Sequence, residues 1–244
     1  LFEDSVKDVN MLLSLNNAGW YYIEVEGSAC GLLQDSLLIE VIDPWANVPC
    51  PEAVDYDGNV YASVRIDRYC WTQRNLVSEH YSDGRDIPDI MAYTSDIYPD
   101  VAYNVSIFGL LYTWMSAMDS LRMDSVLVSG HHQGICPQGW YLPDVDQYET
   151  LSLHGASALR SPLYWINESG GTNETMFSAL PAGFYHGIHK RYENLLGETR
   201  FWSTFIDKNS ENQYFFKMIF PCSRLEVDES CRNFGYSIRC ILEE

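Results

Sequence analysis

The chain has 244 residues, 34 acidic against 15 basic, for a net charge of -19. A field of that sign repels nucleic acid and anionic lipid surfaces, which sets aside a polyanion-binding role. Aromatic residues at 14% and hydrophobic residues at 46% exclude a disordered acidic chain and predict a folded core. No apolar run approaches the roughly 20 residues needed to cross a bilayer. The sequence opens on Leu1 with no charged-then-apolar leader, so an internal or processed start is expected, with any export signal or lipid anchor upstream.

Residues 1–43 read as β-structure, with a strand at 20–25 and a second apolar run at 37–42 after Gly27 and Gly31 break the chain. So short a piece cannot close a sandwich, and its remaining strands are expected upstream unless it docks on the next domain. Residues 44–49 are the expected linker, because Pro44, Pro49 and Pro51 cannot continue a sheet ladder. A second domain is predicted over 50–244.

Asp55, Asp57 and Asn59 superficially suggest a calcium loop, but the acid that closes an EF-hand is missing and a hairpin turn is predicted instead. Val60, Ala62, Val64 and Ile66 then alternate with Tyr61, Ser63 and Arg65 as one half-buried strand would. Residues 82–103 are turn-rich and predict an irregular surface loop. Apolar residues at 111, 114, 115 and 118 have the spacing of a helix face, which predicts one core helix.

After an insertion at 120–133, residues 134–151 pack a cysteine, two prolines and Trp140 into a turn that should deliver the indole inward. Asp144 can cap a helix there, with Gln147 at capping-box spacing, ending near Gly155. A polar loop follows at 165–175, a return to the core at 177–183, and strands at 201–204 and 213–220. Tyr236, Ile238, Cys240 and Leu242 form one face of a closing strand, with Arg239 facing the other way.

Seven cysteines, at 30, 50, 70, 136, 222, 231 and 240, match neither a zinc ribbon nor a thioredoxin pair. Their wide spacing predicts disulfides in an oxidising compartment, and the odd count leaves one without a partner. Cys50 and Cys70 bracket one unit and can bridge across it.

Seven blocks carry a family resemblance: DGNVY at 57–61, Cys70-Trp71 with Asn75-Leu76, FGLLYTW at 108–114, GICP at 134–137 with Gly139-Trp140 and Leu142-Pro143, LPAG at 180–183, FWS at 201–203 and SIRC at 237–240. Their order and spacing resemble the Fibrobacter succinogenes major paralogous domain from about residue 50 to 242. That family resembles a branch of the C-type lectin-like fold. The resemblance implies an α+β domain with a small twisted antiparallel sheet, two helices and long loops, on the extracellular or outer-membrane surface of a Gram-negative bacterium of the Bacteroidetes or Fibrobacter groups. It implies no defined activity. Residues 17–25 with Cys30 and 36–41 resemble the last two strands of a bacterial immunoglobulin-like repeat, so 1–43 is expected to be the end of one, with Cys30 unpaired. The lectin-like fold suggests Cys136–Cys240, while Cys222 and Cys231 can close a local loop.

The tripeptides by which sugar-binding C-type lectins hold calcium are not found here. In this fold ligands usually meet the long loops, which map to residues 165–200. There Trp165, Asn167, Asn173, Tyr185, His186 and His189 supply rings, amides and imidazoles suited to a glycan or a protein partner. His186 with His189, and His131 with His132, lack an acid or cysteine at a ligating spacing, so neither metal nor other cofactor is expected.

Three classes compete. A noncatalytic surface binding module is preferred. A structural subunit of an outer-membrane assembly would show a broad apolar patch. An enzyme of the related formylglycine-generating kind would need reactive cysteines, for which only Cys222 and Cys231 stand near the C-terminus. Ser5, Ser36, Ser120 and Ser125 lie in Asp-Ser-apolar triplets that resemble Bacteroidetes O-glycosylation sites.

Overall fold

A computed structural model describes residues 19–27, 31–39, 48–120, 131–166, 170–206, 212–219 and 225–243. The chain divides into two compact units, Leu1–Ala46 and Asn47–Glu244. In the first, β1 (Gly19–Gly27) pairs antiparallel with β2 (Gly31–Ile39), from Gly19 opposite Ile39 to Gly27 opposite Gly31. Gly31 therefore opens the second strand instead of breaking the chain, because pairing along the whole of β1 outweighs glycine's weak strand preference. Residues 40–42 of the expected apolar run lie outside the described residues, as does Cys30.

The second unit is α+β, made of small antiparallel sheets and short helices. It opens with a hairpin of β3 (Ala53–Val54) and β4 (Val60–Tyr61). The Asp55 carboxylate accepts from the Asn59 amide at 2.8 Å and from the hydroxyls of Tyr61 and Ser78 at 2.6 Å each, and Gly58 takes a positive φ at the turn. These bonds carry the Tyr61 ring inward. The alternation expected through 60–66 is thereby corrected: Tyr61 is fully buried and Val60 is 48% exposed. The strand breaks at Ala62, and β5 (Ser63–Ile66) joins a different sheet, in the order β14-β6-β5 with β6 (Tyr69–Thr72) central and β14 (Ile241–Glu243) last.

The single helix expected over 108–118 is not formed. Instead α1 (Val101–Phe108) precedes it, capped by the Asp100 side chain, which accepts from the Tyr103 amide at 3.0 Å. The helix stops at Gly109, whose φ is +80 and where a Cβ would lie 2.7 Å from Asn75 Cβ. Then come β8 (Leu111–Tyr112), paired with β7 (Ile90–Met91), and the single turn α2 (Trp114–Ala117). Leu111, Trp114 and Met118 do face the core, but through three local conformations, and Met115 is left exposed. The irregular stretch at 82–103 therefore contains β7 and the start of α1.

The 134–151 corner forms as the sequence predicts. Gly139 takes a positive φ, the Trp140 amide donates to the Pro137 carbonyl at 2.9 Å, and the indole is buried. Helix α3 (Val145–Ser152) has a full capping box, with Asp144 accepting from the Gln147 amide and Gln147 Oε1 accepting from the Asp144 amide. It ends at Ser152, and a separate turn, α4 (Ala156–Leu159), follows. Among the described residues the two eight-residue helices are thus accompanied by two single helical turns.

Three longer strands make a second three-stranded antiparallel sheet, β11 (Glu198–Ile206), β12 (Gln213–Ile219) and β13 (Leu225–Ser230). The sequence did not announce β13, which reads LEVDES and shows only two apolar residues, Leu225 and Val227, on the face packed against the core. Lys217 on β12 holds it, reaching Glu226 at 3.1 Å and Asp228 at 2.7 Å.

Disulfides join Cys50 to Cys70 and Cys136 to Cys240. The second ties the Trp140 corner to the closing segment across 104 positions, which in a chain-entropy model is worth about 4–5 kcal/mol. Cys231 is an exposed free thiol, and Cys222, the partner expected for it, lies outside the described residues. Only 241–243 of the closing segment is regular strand. Residues 236–240 are buried throughout, and Arg239, which faces away from Cys240, meets protein and not water. Its guanidinium donates to Asn75 Oδ1 at 2.7 Å and to the carbonyls of Thr72, Phe177 and Ser178 at 2.5, 2.8 and 3.1 Å. Burial pulls its pKa down from the ordinary arginine value.

Two apolar clusters form the core. One gathers Trp114, Trp140, Trp202 and Tyr236 around the Cys136–Cys240 bridge. The other contains Trp71, Tyr148, Phe177 and Phe216, with Tyr148 stacked on Phe216 at 4.8 Å between centroids. Among the described residues no helix is long and apolar enough to cross a membrane.

Candidate functional site

Between α4 and β11 the chain runs mostly as loop, pinned by side chains that turn inward. Trp165 is one of these pins: its indole donates to the Ala179 carbonyl at 3.1 Å, is buried, and lies under the Arg160 guanidinium at 4.5 Å. It supports the loop and does not offer a ring to a ligand. Asn173 also braces, accepting from the Ser178 amide at 2.8 Å and donating to the Ser178 hydroxyl at 2.9 Å. Asn167 lies outside the described residues.

Tyr185, His186 and His189 do come together, on a hairpin of β9 (Phe184–His186) and β10 (Arg191–Glu193). Gly187 lets the Asn233 backbone pack closely on this hairpin, since a Cβ there would sit 2.2 Å from the Asn233 carbonyl oxygen. Tyr185 meets Tyr192 edge to face at 5.2 Å. The His186 ring rests against Phe234 at 4.5 Å and stacks on His189 at 3.9 Å. His186 pairs with Arg191, and Glu193 lies two residues beyond it, so period-two alternation puts His186 and Glu193 on one face. One ligand atom each from His186, His189 and Glu193 lies within 4.8 Å of the others. Glu193 is the acid not found by spacing in the sequence; the hairpin's fold-back supplies it. Its carboxyl is held below the usual range, first by the Arg191 guanidinium that donates to it at 2.6 Å. His131 faces Glu243 at 3.5 Å, whereas His132 is buried, with Nε2 2.7 Å from the Met118 carbonyl.

A second feature went unseen in the sequence. Tyr164 and Tyr103 are both exposed, neighbouring Tyr103 raises the Tyr164 pKa, and the Tyr164 ring meets buried Phe108 edge to face at 5.5 Å. Tyr164 has a φ of +69, a conformation costly for an aromatic residue. It is not alone: of ten non-glycine residues described with positive φ, seven lie between Tyr164 and Leu196. Leu163 and Ile166 are exposed beside it, and the Ile166 amide is fixed to the Leu196 carbonyl at 2.8 Å.

Elsewhere an open cleft of about 570 Å³ is lined by Asp57, Asn59, Arg74, Glu79 and the flank of α1. Its Asp57 is committed, accepting from the Glu79 amide at 2.7 Å and facing His80 Nδ1 at 2.5 Å. A smaller one, about 420 Å³, is bounded by Asn212, Cys231, Arg232 and Asn233. Of the serines in Asp-Ser-apolar triplets, Ser36 lies in β2 and Ser120 is partly exposed, while Ser5 and Ser125 fall outside the described residues.

The fold and this loop face define a disulfide-tied α+β domain. The chain belongs to the Fibrobacter succinogenes major domain family, which matches residues 64–242. No curated protein and no solved structure matches it.

Proposed function

We propose that residues 50–244 form a noncatalytic, C-type lectin-like binding module that contacts glycan through its 160–200 loops and α1, without calcium. It follows the end of an immunoglobulin-like repeat, represented by residues 1–43, and is displayed on the outer surface of a Gram-negative envelope, held there by further sequence or a lipid anchor upstream. Two disulfides favour an oxidising compartment. The observation that carries the binding reading is the Tyr103–Tyr164 pair, two exposed neighbouring rings, one on a left-handed backbone and set edge to face on buried Phe108. Strained backbone persists only where surrounding structure holds it, and it clusters at ligand-contacting sites. Flat rings held in fixed positions suit the apolar faces of sugars, and they lose little side-chain freedom on binding.

The test is an array of host, plant and bacterial glycans probed with the full chain and with a Tyr103→Ala, Tyr164→Ala double variant. Binding to a defined glycan class that the double variant loses is the expected result. Undiminished binding by the variant places the site elsewhere. Silence on the array together with copurification of an envelope protein transfers the role to a structural subunit.

A further inference from the structure

Independently of the tyrosine pair, the β9–β10 hairpin brings two imidazoles and a carboxylate to one point, and we propose that His186, His189 and Glu193 bind a zinc ion. Two nitrogen donors and one carboxylate oxygen are a donor set that zinc favours and that calcium or magnesium, which prefer all-oxygen shells, does not. The donors come from a rigid element: His186 and Glu193 are fixed by strand register, and the His186 ring is backed by Phe234. Only His189 lies in the turn, three residues after His186, and its Nδ1 already stands 3.8 Å from Glu193 Oε1.

Donors around tetrahedral zinc lie about 3.3 Å apart, given bonds of about 2.0–2.1 Å. The present spread of up to 4.8 Å therefore closes by a rotation of the His189 side chain, which is 55% exposed and gives up its stack on the His186 ring as it turns. Two local bonds stand against the ion. The His189 amide donates to His186 Nδ1 at 3.3 Å, a long bond that gives way if that nitrogen becomes protonated or metal-bound. Arg191 donates to Glu193 Oε1, leaving Oε2 as the ligand or yielding as an exposed side chain. With three protein ligands on an exposed hairpin, at least one coordination position faces solvent, open to water or to a donor from a partner.

Zinc chloride titrated calorimetrically into tag-free full chain, with free thiols alkylated, tests this against His189→Ala, Glu193→Gln and a His154→Ala control, whose histidine instead pairs with Asp67. One zinc per chain is expected for the wild type and the control. Affinity should fall at least about tenfold in the other two, since losing even an outer-shell partner weakens a site that much. Cobalt(II) should give visible d–d absorption that His189→Ala abolishes, and circular dichroism of that variant should be unchanged. Absence of zinc uptake by the wild type, or equal uptake by all four proteins, overturns the assignment.

Discussion

The seam around Cys240 and the loop face at 160–200 are built on opposite terms. At the seam the backbone is extended and the side chains lie inward, in contact with one another: a disulfide on one face, a fully buried guanidinium on the other, aromatic clusters around both. On the loop face the backbone takes left-handed turns at residue after residue, while Leu163, Tyr164, Ile166, Met176 and Ile188 point to solvent. The seam holds surplus stability, and the loops draw on it to stay in conformations they would not adopt alone. Cutting the seam should therefore unfold the domain, and trimming the exposed loop side chains should not.

The largest effect is expected from Cys136→Ala with Cys240→Ala, which removes a loop constraint worth about 4–5 kcal/mol, against about 3 for the Cys50–Cys70 bridge with its separation of 20. Urea unfolding of the two double variants should rank them in that order. Next is Arg239→Ala, which leaves the carbonyls of Thr72, Phe177 and Ser178 buried without their donor and should cost about 3–5 kcal/mol. Because those acceptors are peptide oxygens, Arg239→Met should rescue little, in contrast to a buried pair in which both charges can be replaced.

A smaller effect is pH-dependent. Burial lowers the His132 pKa and outweighs the Met118 carbonyl at Nε2, which favours the protonated ring, while Nδ1 has no hydrogen-bond partner among the described residues. A depressed folded pKa means the unfolded chain binds the proton first. Its contribution is complete above about pH 6.5 and is lost as pH falls below that value toward the folded pKa. His80 has the opposite sign, its pKa raised first by the hydrogen bond to Asp57, so its contribution is complete below about 6.5 and is lost as pH rises through the folded value. His132→Gln, which keeps a donor for Met118, should flatten the acid limb of the melting-temperature profile and leave the other limb unchanged.

How far each region was legible follows the same division. The Asp144 cap, the Gln147 box and the Pro137–Trp140 turn depend on neighbours within a few residues, and local pattern found them. Arg239 did not announce itself, because its four acceptors lie between 61 and 167 positions away. Tyr61 misled for a related reason: its inward turn is set by Asp55 and Ser78 through hydrogen bonds, which a hydrophobic alternation does not register. In the loop face, composition alone could not tell a bracing ring such as Trp165 from a presented one such as Tyr164. Glu193 became a neighbour of His186 only through the hairpin.

The most direct test of the central claim combines stability and binding in one sample of the Tyr103→Ala, Tyr164→Ala protein, melted and then assayed on the glycan that the wild type selects. A melting temperature within about 3 °C of wild type, as surface substitutions of about 0.5 kcal/mol allow, together with lost binding, is the predicted result. A collapsed melting temperature would make the pair part of the scaffold, and a stable variant that still binds would contradict the assignment of this face.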